Sequence, residues 1–336
     1  MTTISPSSED LKLQVATLLQ DDLQAVQDGL LRQFRNRSEF IQDVADHTSR
    51  FRGKQIRPIL TLLCSRLGTP APDSQTREMA RLFGIVVEMI HAATLVHDDV
   101  IDDADLRRHV STVHRRWNTE TSVLFGDYLF SQAFYLAATS GDAEACRLIG
   151  QATNRTCAGE LNQIAARLEQ SRSERDYFRI IAGKTGQLFA ISCRLGARAA
   201  GLPPKLQNQL SMFGLRLGMA FQIADDVLDL TMSSARTGKD SQNDLQNHRL
   251  TLPVLRGLRI APPNQQQLLL QRLEHSADAR PLLPSEYPAL QAGLASATAA
   301  AERMASRAIQ CLHHFPAGRE RTLMESIAWF AAGRSN

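Results

Sequence analysis

From residue 73 to residue 202, and again from 205 to 252, the chain contains no proline. Proline fixes φ and lacks an N–H, so a helix tolerates it in the first turn and breaks where it falls further in. Both proline-free stretches carry apolar residues three and four positions apart rather than in alternation, which is the helical period. The same reading along the whole chain predicts helices over 9–34, 36–50, 58–67, 73–103, 119–138, 142–169, 173–201, 204–230, 251–259, 263–275, 285–313 and 319–332. No segment qualifies as a strand. Polar or Pro/Gly-rich connections fall at 69–72, 104–118, 232–249 and 277–284. Without an internal repeat, the economical arrangement is an all-α helical bundle forming one domain over 9–336, behind a loose leader over 1–8.

Composition excludes several function classes. The 38 Lys+Arg against 35 Asp+Glu leave a net charge of +3, with both signs interspersed, which is no footprint for nucleic acid. No run of 18 apolar residues is present to span a bilayer, and the polar first ten residues lack the order of a secretory signal. Cys64, Cys146, Cys157, Cys193 and Cys311 are widely spaced and form no CxxC pair. Reduced thiols used as core filler, in a cytoplasmic protein, are the expectation. The basic residues divide into 33 Arg and only 5 Lys, and three of those lysines follow glycine, at Lys54, Lys184 and Lys239. Lysine kept beside glycine in an arginine-rich chain suits a compact ammonium close to backbone, as at phosphate sites.

Two D-D-x-x-D patterns carry the chemistry: Asp98-Asp99-Val100-Ile101-Asp102 and Asp225-Asp226-Val227-Leu228-Asp229. Each closes a long apolar helical run, and the i, i+4 spacing stacks its first and last carboxylates on one face. Like charges so placed repel, and at a helix C-terminus they also oppose the macrodipole. A hard divalent cation removes the conflict, and Mg²⁺ binds through one or two carboxylates together with water and substrate phosphate oxygens. The two clusters therefore read as a diphosphate site bridged by Mg²⁺. Cations for the diphosphate lie at Lys54, Arg57, Arg107, Arg108, Arg115, Arg116, Lys184, Lys239 and Arg249.

Gly53-Lys54-Gln55-Ile56-Arg57-Pro58, His97-Asp98-Asp99-Val100-Ile101-Asp102 through Arg107-Arg108, Gly159-Glu160-Leu161-Asn162-Gln163, Lys184-Thr185, Phe221-Gln222 through Asp229, Gly238-Lys239 through Asp244-Leu245, and Thr251-Leu252-Pro253 stand in the order of known motifs. The chain resembles the trans-isoprenyl diphosphate synthases, in particular their long-chain, octaprenyl diphosphate synthase-like branch. The resemblance implies an all-α isoprenoid synthase bundle around a central substrate cavity, and a homodimer. The implied reaction condenses isopentenyl diphosphate with an allylic diphosphate, head to tail, into an all-trans product of C30 to C50. Carried over residue by residue, it has Lys54, Arg57, His91 and Arg108 holding isopentenyl diphosphate. Arg107, Lys184, Thr185, Gln222 and Lys239 hold the allylic diphosphate, with Arg249 preserving a family charge. Asp98, Asp102, Asp225 and Asp229 bind the metal, expected as three Mg²⁺ ions bridged by diphosphate, and Asp99 and Asp226 support them. The catalytic set is thus the six aspartates with Lys184, Thr185, Gln222 and Lys239.

The sequence departs from the family where glycine is usual, at His109 and Gln242, and where Glu-Gly-Lys is usual, at Asn247-His248-Arg249. The lost glycines restrict backbone conformations with φ > 0. A terpene cyclase on the same fold is opposed by Lys54, Arg57 and His91, since a cyclase has no second diphosphate to bind. A helical phosphohydrolase around His97-Asp98 leaves the second cluster unexplained, and a non-catalytic partner subunit would lose aspartates this chain retains. Product length follows from helix geometry: an isoprene unit advances about 5 Å, close to the helical pitch of about 5.4 Å. Ala93 and Thr94 leave the first floor under Asp98 open, where short-chain family members carry an aromatic residue. Met89, Ile90 and Val86, with Phe130 and Phe134, are the next floors.

Overall fold

The computed structural model describes residues 7–51, 53–68, 71–169, 171–231, 250–274 and 284–333. In chain order these hold α1 (Ser8–Gln33), α2 (Glu39–Ser49), α3 (Ile56–Arg66) and α4 (Ser74–Ile101). A hairpin follows, β1 (Leu106–Arg107) and β2 (Val110–Ser111), then α5 (Val113–Arg116), α6 (Thr119–Thr139), α7 (Ala143–Leu168) and α8 (Glu174–Ile181). A π-helical turn (Ala182–Gly186) joins α8 to α9 (Gln187–Ala199), and α10 (Pro204–Thr231) comes next. Past residue 249 lie α11 (Leu252–Ile260), α12 (Pro263–Glu274), a 3₁₀ turn (Pro284–Glu286), α13 (Pro288–Leu312) and α14 (Arg319–Ala332).

Side-chain caps explain where these helices start. The oxygens of Ser7, Asp73, Asn118, Asp142 and Ser173 accept first-turn N–H groups of α1, α4, α6, α7 and α8, each cap worth about 1 kcal/mol. Two expected starts shift. α2 begins at Glu39 rather than at residue 36, because the Asn36 side chain accepts the Ser38 N–H at 2.9 Å and turns the chain locally. α3 begins two residues before Pro58, behind Gln55 at φ +48°. α1 begins at Ser8, one residue before the expected start at residue 9.

α4 runs through the middle of the bundle and packs on α1, α3, α6 and α9. Its Phe83, Val86, Met89, Ile90, Ala93 and Val96 are all buried, and each large side chain so placed contributes about 1.5–3 kcal/mol. By length and hydropathy α4 could cross a membrane, but 56% of that window is buried inside the protein, as in a core helix. α10 packs on α9 and α13, and Leu230, Val254, Leu258, Leu269 and Leu290 form a smaller cluster beneath its end. All five cysteines are free thiols; Cys64, Cys193 and Cys311 fill the core as expected, while Cys157 is exposed and Cys146 half-buried.

The chain does form strands, contrary to expectation, in the short hairpin directly after the first acidic cluster. Leu106 pairs with Ser111 and Arg107 with Val110, and the two residues between, Arg108 and His109, have φ of +52° and +65°. Positive φ at both central positions is the type I′ geometry that tight hairpins favour. His109 therefore adopts the left-handed conformation that a glycine would take without strain. The expected helix over 173–201 is also modified, by the π-helical turn at Ala182–Gly186.

Candidate active site

The two acidic clusters end the two 28-residue helices, α4 and α10. Within each, helical periodicity sorts the carboxylates. Asp98, Asp102, Asp225 and Asp229 are half-buried, whereas Asp99 and Asp226 are 1% and 3% exposed. The Arg107 guanidinium grips Asp99, with Nε at 2.8 and 2.9 Å and Nη2 at 2.6 Å. Burial pushes the Asp99 carboxyl up and Arg107 pulls it back. Asp226 accepts from the Tyr177 hydroxyl at 2.5 Å and from Gln222 Nε2 at 2.9 Å. The middle acid of each cluster is thus neutralised or hydrogen-bonded by protein, and the flanking pair stays accessible.

Lys184 and Thr185, consecutive in the π-helical turn, link the two clusters. Lys184 Nζ lies 2.9 Å from Glu160 Oε2 and 3.9 Å from Asp98 Oδ2. The Thr185 hydroxyl donates to Gln222 Oε1 at 2.7 Å. π turns recur at functional sites because one inserted residue re-aims the side chains around it. This one is seated against α7 through glycines: a β-carbon on Gly159 would run into the backbone nitrogen of Lys184, and one on Gly183 would stand 2.9 Å from the Gly159 Cα. Lys184, Gln222 and Asp226 line a cleft with Arg167, Tyr177 and Thr251, and the buried Thr251 Oγ1 has no hydrogen-bond partner.

A second, separate cluster is cationic. Arg57 lies over the Phe189 ring at 4.9 Å, and burial lowers its pKa to about 10 against the opposing pull of Glu88. Burial raises Glu88, opposed by Arg57 and Arg108. His91, one turn along α4, is held well below its ordinary value by burial, then by Arg57, Arg107 and Arg108, so it is neutral at pH 7. Arg108 Nη1 donates to the Phe51 carbonyl at 2.8 Å and packs against Gly53, beside Lys54. Lys54 Nζ sits 5.6 Å from the Phe330 ring centre on α14. Arg57 Nε and Glu88 Oε2 are buried without hydrogen-bond partners, which fits a pocket whose polar groups await an anion and its water.

The structure therefore brings together Lys54, Arg57, His91 and Arg108, and separately Lys184, Thr185, Gln222 and the aspartates. Lys239 and Arg249 lie outside the described residues. Ala93, Met89 and Ile90 are buried below Asp98, and Thr94 is half-buried with its hydroxyl on the His91 carbonyl at 2.8 Å. Phe130 packs on His97, but Phe134 is 36% exposed and faces outward, so it forms no floor. Glu88, Glu160 and Tyr177 received no role from sequence. Glu88 had a usable signal, an acid three residues before His91 in an apolar helix; Tyr177 had none, since its partner is 49 residues away.

The half-buried carboxylates of Asp98, Asp102, Asp225 and Asp229 are the hard oxygen donors that Mg²⁺ prefers. Among the described residues no three His, Cys, Asp or Glu side chains converge as a ready cage.

Known proteins resemble this chain in sequence and in fold. The family model described as polyprenyl synthetase matches residues 38–285. The chain is 32% identical over 326 residues to heptaprenyl diphosphate synthase component 2 of Bacillus subtilis, covering 97% of this chain and 92% of that one. It is 29% identical over 319 residues to octaprenyl diphosphate synthase of Escherichia coli, covering 94% and 97%. The crystal structure of a polyprenyl synthase from Caulobacter crescentus, complexed with calcium and isoprenyl diphosphate, superposes with a TM-score of 0.88 at 28% identity, over 99% of both chains.

Proposed function

This chain belongs to the polyprenyl synthetase family, and on that footing we propose that it condenses isopentenyl diphosphate with an allylic diphosphate to make an all-trans product of C30 to C50. The observation that carries the reading is a site with two separate groups of anion-binding side chains, Lys54, Arg57, His91 and Arg108 in one and the aspartates with Lys184 in the other, which suit two diphosphates. A terpene cyclase or a phosphohydrolase needs only the second. The names of the relatives, heptaprenyl and octaprenyl diphosphate synthase, support a long product.

Mg²⁺, as three ions held by Asp98, Asp102, Asp225 and Asp229, would supply the positive charge that a departing diphosphate requires. Lys184 adds a fixed cation beside Asp98, and Arg107 holds Asp99 in place; Lys239 and Arg249 are assigned to the allylic diphosphate by resemblance alone. When the allylic C–O bond breaks, its electrons leave with the diphosphate and an allylic cation remains. With its hydrogen committed to Gln222, the Thr185 oxygen presents lone pairs to that cation. Neither group is a nucleophile strong enough to trap it. The isopentenyl double bond attacks, forming the new C–C bond, and the proton lost afterwards goes to the departed diphosphate oxygen. His91, neutral among three arginines, can donate one N–H to the isopentenyl diphosphate without adding charge.

The whole unit over 9–336 acts as one domain in this reading. The free thiols fit a reducing, cytoplasmic setting. A homodimer is supported by the exposed Leu124 and Tyr135 of α6 beside Leu161 and Leu168 of α7, 60–77% exposed. Light scattering of the active enzyme should give twice the chain mass.

The deciding experiment feeds labelled isopentenyl diphosphate with C10, C15 or C20 allylic starters and sizes the product. Label should enter a C30 to C50 chain. Phosphate released without isopentenyl diphosphate, or a cyclic hydrocarbon formed from the starter alone, would overturn the reading.

A further inference from the structure

We propose that Tyr177 is a positioning residue: through Asp226 and Gln222 it sets the orientation of Thr185, and so governs the allylic half of the site and not the isopentenyl half. The inference rests on the function proposed above. Tyr177 is 7% exposed, and its hydroxyl donates to Asp226 Oδ2 at 2.5 Å. An ionised carboxylate only accepts, so Gln222 must turn Nε2 toward Asp226 Oδ1, at 2.9 Å. That leaves Gln222 Oε1 as the acceptor for the Thr185 hydroxyl, at 2.7 Å. Three hydrogen bonds thus run from α8 through α10 to the π-helical turn, with donor and acceptor chemistry fixing the direction of every link.

Helix geometry explains why this tyrosine reaches the same helix as Thr185. Consecutive residues of an α-helix are turned by about 100°, so positions seven apart share a face and positions eight apart do not. The residue inserted by the π turn restores the phase, and Thr185, eight residues after Tyr177, again meets α10. Lys184, one step back, is turned instead to Glu160 and Asp98. None of these three hydrogen bonds involves Arg57, Glu88 or His91.

Packing alone would need only the ring, which meets Phe178 edge-on at 5.5 Å between centres. Tyr177→Phe keeps that ring and removes the donor, so it separates the two roles. Three quantities are compared with wild type: steady-state constants for both substrates, binding of an unreactive allylic thiolodiphosphate with Mg²⁺ in the absence of isopentenyl diphosphate, and the melting temperature of the ligand-free protein. The expected result is an allylic KM about tenfold higher and analogue binding about tenfold weaker, the scale of one hydrogen bond to a charged group. The KM for isopentenyl diphosphate should stay within about twofold. In an Asp226→Ala background the further change Tyr177→Phe should alter allylic binding no more, because alanine offers neither donor nor acceptor and the hydrogen-bond relay is already cut. That background also serves if the single variant unfolds, since it removes the buried charge left short of a donor.

Allylic constants unchanged in Tyr177→Phe, an equal rise in both KM values, or a further loss in the Asp226→Ala background would each overturn the role. A wild-type enzyme that incorporates no isopentenyl diphosphate would instead overturn the proposed function, and this inference with it.

Discussion

Gly159→Ala tests how much of the site depends on one close approach between α7 and the π-helical turn. The added β-carbon would overlap the Lys184 backbone nitrogen and stand 2.8 Å from the Gly183 carbonyl carbon and 3.0 Å from its Cα. Carbon contacts settle near 3.5–4.0 Å, so α7 and the turn must part by roughly 0.5–1 Å. Overpacking against backbone costs about 1–3 kcal/mol, and the helix propensity gained over glycine offsets about 0.5–1 of it. The net expectation is a loss of about 1–2 kcal/mol, a few degrees in melting temperature. Activity should suffer more, because Lys184 and Thr185 move with the turn and a displacement of about 1 Å can cost about 10²-fold. Gly150→Ala is the control: it lies on the same helix with nothing within 4 Å, and should be neutral or stabilising by about 0.5–1 kcal/mol. Calorimetry and the elongation assay read both variants. If Gly159→Ala melts and turns over like Gly150→Ala, the close approach does not hold the π turn in place.

Four further perturbations probe other parts. His109→Ile should destabilise the protein by about 1–2 kcal/mol, since a β-branched residue is strained at the φ of +65° there, while His109→Gly should not; equal melting temperatures would refute the strain. Burial lowers the pKa of both His47 and His91, so their contribution to stability is complete above about pH 6.5 and is lost as pH falls below it, because the unfolded chain then takes up protons first. Urea midpoints between pH 5 and 8 should rise with pH, and a flat or falling profile would contradict the neutral, buried state of these rings. Lys54→Ala should chiefly raise the KM for isopentenyl diphosphate and Lys184→Ala that for the allylic substrate, and matching kinetic profiles would mean the two sites are misassigned. Ala93→Tyr places a ring where a fully buried methyl group now lies, and should shorten the product to C15 or C20; an active variant making wild-type lengths would show that the tail passes elsewhere.

Much of this protein was legible in its sequence because the information is local. Proline placement and helical periodicity are decided within a few residues, and they located the long helices to within a turn; the caps that the structure shows at Asp73, Asp142 and Ser173 are equally local. The two D-D-x-x-D patterns declared themselves for the same reason, and helix geometry already separated flanking from middle acids. What the sequence could not provide were the partners of the middle acids. Asp226 depends on Tyr177 from 49 residues earlier, and nothing in the sequence around either residue announces the other. The hairpin at Leu106–Ser111 escaped detection because two residues per strand carry no alternation, and because His109 stands where a glycine would have signalled the turn. The π-helical turn escaped because its cause is packing: Gly183 lies against Gly159 on another helix, and only the folded bundle brings them close enough to widen the backbone. Local steric and hydrogen-bond preferences thus determined the helices and marked the site, while contacts between helices far apart in sequence decided where its side chains point.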